Sequence, residues 1–271
     1  MEFSETDRRI LDAFASARRT HANLEPVLKF YEAIYRAQVE VKAELGSVIR
    51  IAPPEKCREQ LSAGEIVLKF EQLNVESIRF VKLVRAMSCV ILEKSPGWEL
   101  PSHPIDTPVL TDSARLWYES GEPVIGNGPP TMLVTLAVGF ALSSYLQKAA
   151  EMLCEQIDLA DWRRNVCPIC GGKPGFATLS RTDGSRSLFC PRCHCQWAYR
   201  RTTCPFCDNE EGIVYYPCED EVYRLYVCPA CSRYMKTMDL RHTQQEPVVP
   251  VERILSIGID LAAQQEGYSH C

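Results

Sequence analysis

Residues 166–234 decide the fold: VCPICGGKP at 166–174, LFCPRCHCQWAYRR at 188–201, TTCPFC at 202–207 and YVCPACSRY at 226–234. They contain four Cys-Pro-x-Cys pairs: Cys167/Cys170, Cys190/Cys193, Cys204/Cys207 and Cys228/Cys231. Two such pairs about 15 to 20 residues apart bring four thiolates to the corners of a tetrahedron, a geometry that a structural zinc or a rubredoxin-type iron accepts. The unit occurs twice, with offsets of 37, 37, 38 and 38 residues between corresponding cysteines, which reads as an internal duplication of one metal-binding module. The duplication favours pairing the first pair with the second and the third with the fourth. A cross-braced arrangement is disfavoured because ten residues separate Cys193 from Cys204.

Each Cys-x-x-Cys turn aims two sulfurs at one ion while backbone N–H groups stabilise the thiolates, and the proline after each first cysteine restricts the turn. Gly171 follows one second cysteine, where the chain must often pass through positive φ. The reading is two metal ions, iron or zinc, each held tetrahedrally by four of the eight paired cysteines. The ions can act simply as staples, since about 35 residues bury too little apolar surface to fold alone. Cys195 and Cys218 read as ordinary strand residues, Cys57, Cys89 and Cys154 as core or near-core positions, and Cys271 as a disordered terminus. His194 sits beside a ligand but is not counted as one.

Outward from the cysteines, 271 residues predict two domains or more. The first 160 read as helical. Ile10, Leu11, Phe14 and Ala17 recur at helical spacing, and Val27 to Val41 do so after an Asn23 cap. A third helix over 75–93 has Ile78, Val81, Val84, Arg85 and 90–92 as its inner face. Proline-rich 98–108 and the GNGPP of 121–130 read as breaks. An apolar helix over 131–154 is the candidate centre of a bundle, and its longest apolar run, 132–142, is too short to cross a bilayer. Strand-like patterns follow at Leu188 and Phe189, at 214–216, and at 223–227, where Tyr223, Leu225 and Val227 alternate with Arg224 and Tyr226. Residues 251–265 resume a helical period. The fold class is thus α plus small β: a helical domain at 1–160, two rubredoxin-like or zinc-ribbon modules at 161–201 and 202–243, and a C-terminal helix at 248–267.

No signal peptide is read, which predicts a cytoplasmic chain in which 14 cysteines bind metal rather than form disulfides. The formal charge of −5 becomes −9 once eight thiolates and two divalent ions are counted, which argues against a general affinity for nucleic acid. Residues 163–201 carry eight basic side chains against Asp183 alone, whereas 202–241 set four basic against seven acidic ones. The modules are therefore expected to meet different surfaces. Arg192, Trp197, Tyr199, Arg200 and Arg201 form a possible partner surface, mixing aromatics and arginines as single-stranded nucleic-acid sites do. The blander reading, a strand with one packed face, is preferred. Phosphate loops, nucleophile elbows and zinc-protease motifs are absent from the sequence, which lowers the prior for an enzyme.

The strings DWRRNVCPICGGKP, SLFCPRCHCQWAYRRTTCPFC and YRLYVCPACSRYMKTMDLR, with QQEGY at 264–268, resemble the formate dehydrogenase accessory protein family, FdhE. The resemblance is specific over about 161–268 and extends to the helical half chiefly in length and character. It implies two rubredoxin-like modules behind a helical domain and a cytoplasmic, non-enzymatic role in maturing respiratory formate dehydrogenase. The implied partner is that enzyme's catalytic subunit before export, with no membrane insertion. His194, Asp208 and Ser232 stand where rubredoxin knuckles carry glycine, a departure that leaves both iron and zinc open. Two other functions compete: an iron protein doing redox work on that client, and a zinc-ribbon nucleic-acid binder.

Overall fold

The computed structural model describes residues 3–94, 106–121, 129–218 and 221–269. Its chain divides into two compact units, one of Met1–Pro53 and Leu68–Glu155, the other of Pro54–Val67 and Gln156–Cys271. The first contains helices α1 (Glu5–Thr20), α2 (Glu25–Leu45), α4 (Ile78–Lys94), α5 (Thr107–Ser120) and α6 (Pro129–Cys154). The second contains α3 (Pro54–Ala63), six strands and the closing helices α7 (Val249–Leu255) and α8 (Ile257–Gln265).

In the first unit, α1 begins where Ser4 Oγ accepts the Asp7 N–H, and it buries Ile10, Leu11, Phe14 and Ala17 as their spacing predicts. The helix α2 starts at Glu25, after a single 3-10 turn over Ala22–Leu24 that takes the place of the Asn23 cap. Along α4 the buried face is Phe80, Leu83, Val84, Met87 and Ile91, a clean i, i+3, i+4, i+7, i+11 series. Ile78, 69% exposed, and Arg85 lie off that stripe, so the expected inner face was misphased at those two positions.

Two helices replace expected breaks. Pro54 opens α3 and Pro108 sits in the first turn of α5, where a missing N–H costs nothing and the fixed φ suits the helix. Residues 98–105 of the expected proline loop, most of GNGPP and Cys271 lie outside the described residues. The helix α6 packs against α2, α4 and α5 and buries Leu133, Ala137, Ala141, Leu142 and Tyr145. At 26 residues it is long and apolar enough to cross a bilayer, yet 78% of its most apolar window is buried inside the protein, as in a core helix. Lys42 ties three helices of this unit: its ammonium lies 2.6 Å from Asp7 Oδ1 on α1 and pairs with Glu151 on α6. Tyr35 donates a 2.7 Å hydrogen bond to the same Asp7.

In the second unit the strands are β1 (Phe176–Leu179), β2 (Arg186–Phe189), β3 (Gln196–Tyr199), β4 (Val214–Pro217), β5 (Tyr223–Cys228) and β6 (Arg233–Asp239). They form one six-stranded sheet in the order β3-β2-β1-β6-β5-β4. Within each half the pairing is antiparallel, and β1 joins the halves by running parallel to β6. The duplication extends to the register: Arg186 pairs with Leu179 and Tyr199, and Arg224, 38 residues on, pairs with Pro217 and Thr237, each also 38 on. Tandem modules are thus fused edge to edge. Because β5 is an inner strand, Tyr226 and Val227 are both buried and the expected alternation fails there.

The expected C-terminal helix breaks at Ser256 into α7 and α8. Buried Lys236 explains the break: its ammonium donates hydrogen bonds to the carbonyls of Arg253 (2.8 Å) and Ser256 (3.4 Å) and pairs with Asp260 at 2.6 Å. Such a side chain can be buried only if its donors are satisfied. Cys57 is buried as expected, whereas Cys89 and Cys154 are exposed rather than core residues.

Candidate metal centres

The eight paired cysteines fall into two groups that could hold a metal ion, Cys167/Cys170/Cys190/Cys193 and Cys204/Cys207/Cys228/Cys231, with all sulfurs of a group within 4.8 Å of one another. Closest approaches are 3.5 Å (Cys167–Cys193 and Cys170–Cys190) in the first and 3.7 Å (Cys204–Cys231 and Cys207–Cys228) in the second. A tetrahedron with metal–sulfur bonds of about 2.3 Å has edges of about 3.8 Å, whereas a disulfide needs about 2.0 Å. The spacing fits a four-thiolate ion and leaves iron and zinc equally accommodated.

The knuckles share one backbone solution. The residue after the second cysteine is left-handed in all four: Gly171 (φ 71°), His194 (63°), Asp208 (56°) and Ser232 (52°). In three of them its N–H donates back to the first cysteine's carbonyl at 3.0 Å, and the first cysteine's N–H donates to the carbonyl five residues on at 2.8–2.9 Å. In the fourth, Cys228 pairs with Arg233 at the same five-residue separation within the β5–β6 ladder. Glycine is therefore dispensable for the turn. Asp208 is braced by hydrogen bonds from the Tyr199 hydroxyl and from Asn165 Nδ2, the latter at 3.0 Å.

Charge crowding argues for a cation in the first group. Burial pushes the Cys190 and Cys193 thiols well above their ordinary range. Against the same burial, hydrogen bonds from Cys170, Cys190, Cys193 and Cys195 hold Cys167 well below it. Four thiolates at this spacing repel one another unless a metal shares their charge. Cys195, itself buried, lies close enough to contact two of the group's sulfurs.

The groups differ in enclosure. All four cysteines of the first are buried; in the second Cys207 is exposed and Cys231 half-buried. The segment after α3 helps close the first: Val67 N–H donates to Pro168 O at 3.0 Å, and a Cβ at Gly171 would meet Ile66 at 3.1 Å. Trp162 and Trp197, both buried, donate to the carbonyls of Val166 (2.8 Å) and Arg164 (2.9 Å). The contribution of residues 54–67 escaped the sequence reading because Pro53-Pro54 looked like an interruption.

Three members of the expected partner surface lie inside. Arg192, Trp197 and Tyr199 are 8%, 3% and 4% exposed, because alternate residues of β3 face the packed side of the sheet. Arg200 is exposed but paired with Glu210, and Arg201 is half-buried. The opposed charges of the modules partly meet each other: Arg200 also lies 3.9 Å from Asp208, so the expectation of two independent surfaces is too simple.

The chain is 33% identical over 138 residues to a protein FdhE homolog of Aquifex aeolicus, covering 48% of each chain. It is 28% identical over 113 residues to protein FdhE of Escherichia coli, covering 40% of this chain and 36% of that one. Its fold matches the crystal structure of the FdhE protein from Pseudomonas aeruginosa with a TM-score of 0.65, over 98% of this chain and 92% of that one. The chain belongs to the FdhE family. At 19% identity the structural likeness speaks for the fold, and it extends the kinship in architecture across both units. The matched sequence spans about half or less of the length of these curated FdhE relatives. No family model matches the chain.

Proposed function

We propose that this chain is a cytoplasmic accessory factor that engages the catalytic subunit of a respiratory formate dehydrogenase before export and assists its maturation without catalysing a reaction itself. The observation that carries the reading is the pair of four-cysteine groups within one fused sheet, in a chain whose kin are FdhE proteins. Four sulfurs saturate a tetrahedral ion, leaving no open position for a substrate or activated water, which suits a scaffold better than a hydrolytic site. Bound ions would link strand ends and knuckles that bury little apolar surface of their own. Affinity isolation of the full chain from cells respiring on formate should return the formate dehydrogenase catalytic subunit. Deletion that leaves formate dehydrogenase activity at its normal level would end the proposal.

The exposure of Cys207 favours a second reading, in which iron at the second group exchanges electrons with the client. Protein isolated without oxygen should then show visible absorption that bleaches on reduction; an active, colourless, zinc-filled protein excludes it.

A further inference from the structure

Arg186 is the most completely buried of the large side chains, at 2% exposure, and among the described residues it makes no ion pair. One guanidinium nitrogen donates to the carbonyls of Arg200 and Thr203, in the link that leads into Cys204, while Nε has no partner. The guanidinium lies 5.2 Å from the Tyr199 ring centroid, and the side chain lines a small cleft shared with Cys204 and Cys228. Burial pulls its pKa down to about 10, which still leaves it charged at neutral pH. A buried, uncompensated charge is among the most costly features a fold can carry.

The duplication supplies an internal control. Arg224, at the matching position of the second half, is also largely buried and lies 5.0 Å from the Tyr215 ring centroid, but it has a carboxylate partner, Asp239, at 2.5 Å. At the position corresponding to Asp239, 38 residues earlier, the first half carries Arg201. The arginine is thus repeated and its counter-ion is not. What shares the cleft with Arg186 instead is a pair of cysteines from the second metal group.

We propose that the counter-ion of Arg186 is the second four-cysteine centre itself: with a divalent ion and four thiolates it carries a net charge of −2, and Arg186, from the first half of the sheet, holds it in place. The proposal rests on metal occupancy of that group. Charged neighbours of this kind tune metal sites, and their loss typically costs about 10–100-fold in affinity. The same pairing couples the halves, since emptying the second site leaves a strand of the first with an unneutralised cation.

The test uses the full chain loaded with Cd2+ and read by 113Cd NMR during competition with a chelator, the two resonances being assigned with Cys170→Ser and Cys207→Ser. Arg186→Gln should release the second-site ion about 10–100-fold more readily and leave the first site unchanged, whereas Arg186→Lys, which keeps the charge, should recover most of the loss. Equal retention in wild type and Arg186→Gln, or a Lys variant as weak as the Gln variant, overturns the proposal. Should Arg186→Gln not fold, amide exchange in Cys207→Ser decides: β2 should exchange faster than in the doubly loaded protein, and unchanged β2 protection overturns it. Wild-type protein that takes no Cd2+ at the second group would instead defeat the metal reading beneath it.

Discussion

Gly172→Ala should damage the first metal group without touching a ligand. A Cβ at this position would sit 3.0 Å from Cys190 Sγ, 3.3 Å from Cys170 Sγ and 2.8 Å from Arg192 Cδ. The arginine chain can yield; the two sulfurs can do so only by distorting the tetrahedron that holds the ion. Overpacking of this severity costs about 1–3 kcal/mol, equivalent to roughly 5- to 150-fold in affinity at 1.4 kcal/mol per decade. The duplication again provides the control, because Asn209 occupies the matching position beside the second group and turns its amide towards Glu211 O and, at 4.0 Å, Cys228 Sγ. In zinc-loaded protein titrated with a chelator, Gly172→Ala should weaken the first site alone, and Asn209→Ala should affect the second site alone and only slightly. Loss of second-site metal in Gly172→Ala, or no change at either site, would refute the account of the first knuckle.

Ser232→Gly relieves a left-handed residue that has a β-carbon and should raise the urea-unfolding stability of loaded protein by about 0.5–1 kcal/mol, whereas Asp208→Gly, which forfeits two hydrogen bonds, should not; equal effects would contradict this. Lys42→Met strands the buried Asp7 carboxylate and should cost about 3–5 kcal/mol in denaturant melts, with Asp7→Asn in the same chain recovering much of it. Although burial alone would raise the Asp7 pKa, hydrogen bonding and attraction from Lys42 hold it below 3.8, so its wild-type contribution is complete above that pH and is lost as pH falls through the depressed value. In Lys42→Met burial acts unopposed by the cation, so the deficit relative to wild type should shrink on acidification; a pH-independent deficit would contradict the assignment. Chelator should empty the second site faster than the first, since Cys207 is exposed and the first group's cysteines are buried, and reversed order would count against the geometry.

The metal groups were legible because ligand spacing is a local property: four sulfurs in two knuckles need only short turns between them. The duplication was legible to the residue, since a constant offset aligns Arg186 with Arg224 as well as the cysteines. The fusion of the halves was not, because the parallel contact of β1 with β6 depends on which sheet edges meet and leaves no periodic trace in either strand. Pro54 and Pro108 misled for a related reason: proline stops a helix from within but starts one readily, and sequence alone does not say on which side the helix lies. Trp197 and Tyr199 looked like a binding surface by composition, but strand alternation placed both inside.

Metal content per chain, measured on protein isolated without oxygen and on its Cys170→Ser and Cys207→Ser variants, tests the central claim most directly. The account predicts two ions per chain in the wild type and one in each variant, with the other group still filled. Wild-type protein without stoichiometric metal, or a single substitution that empties both groups in a chain that remains folded, would contradict it.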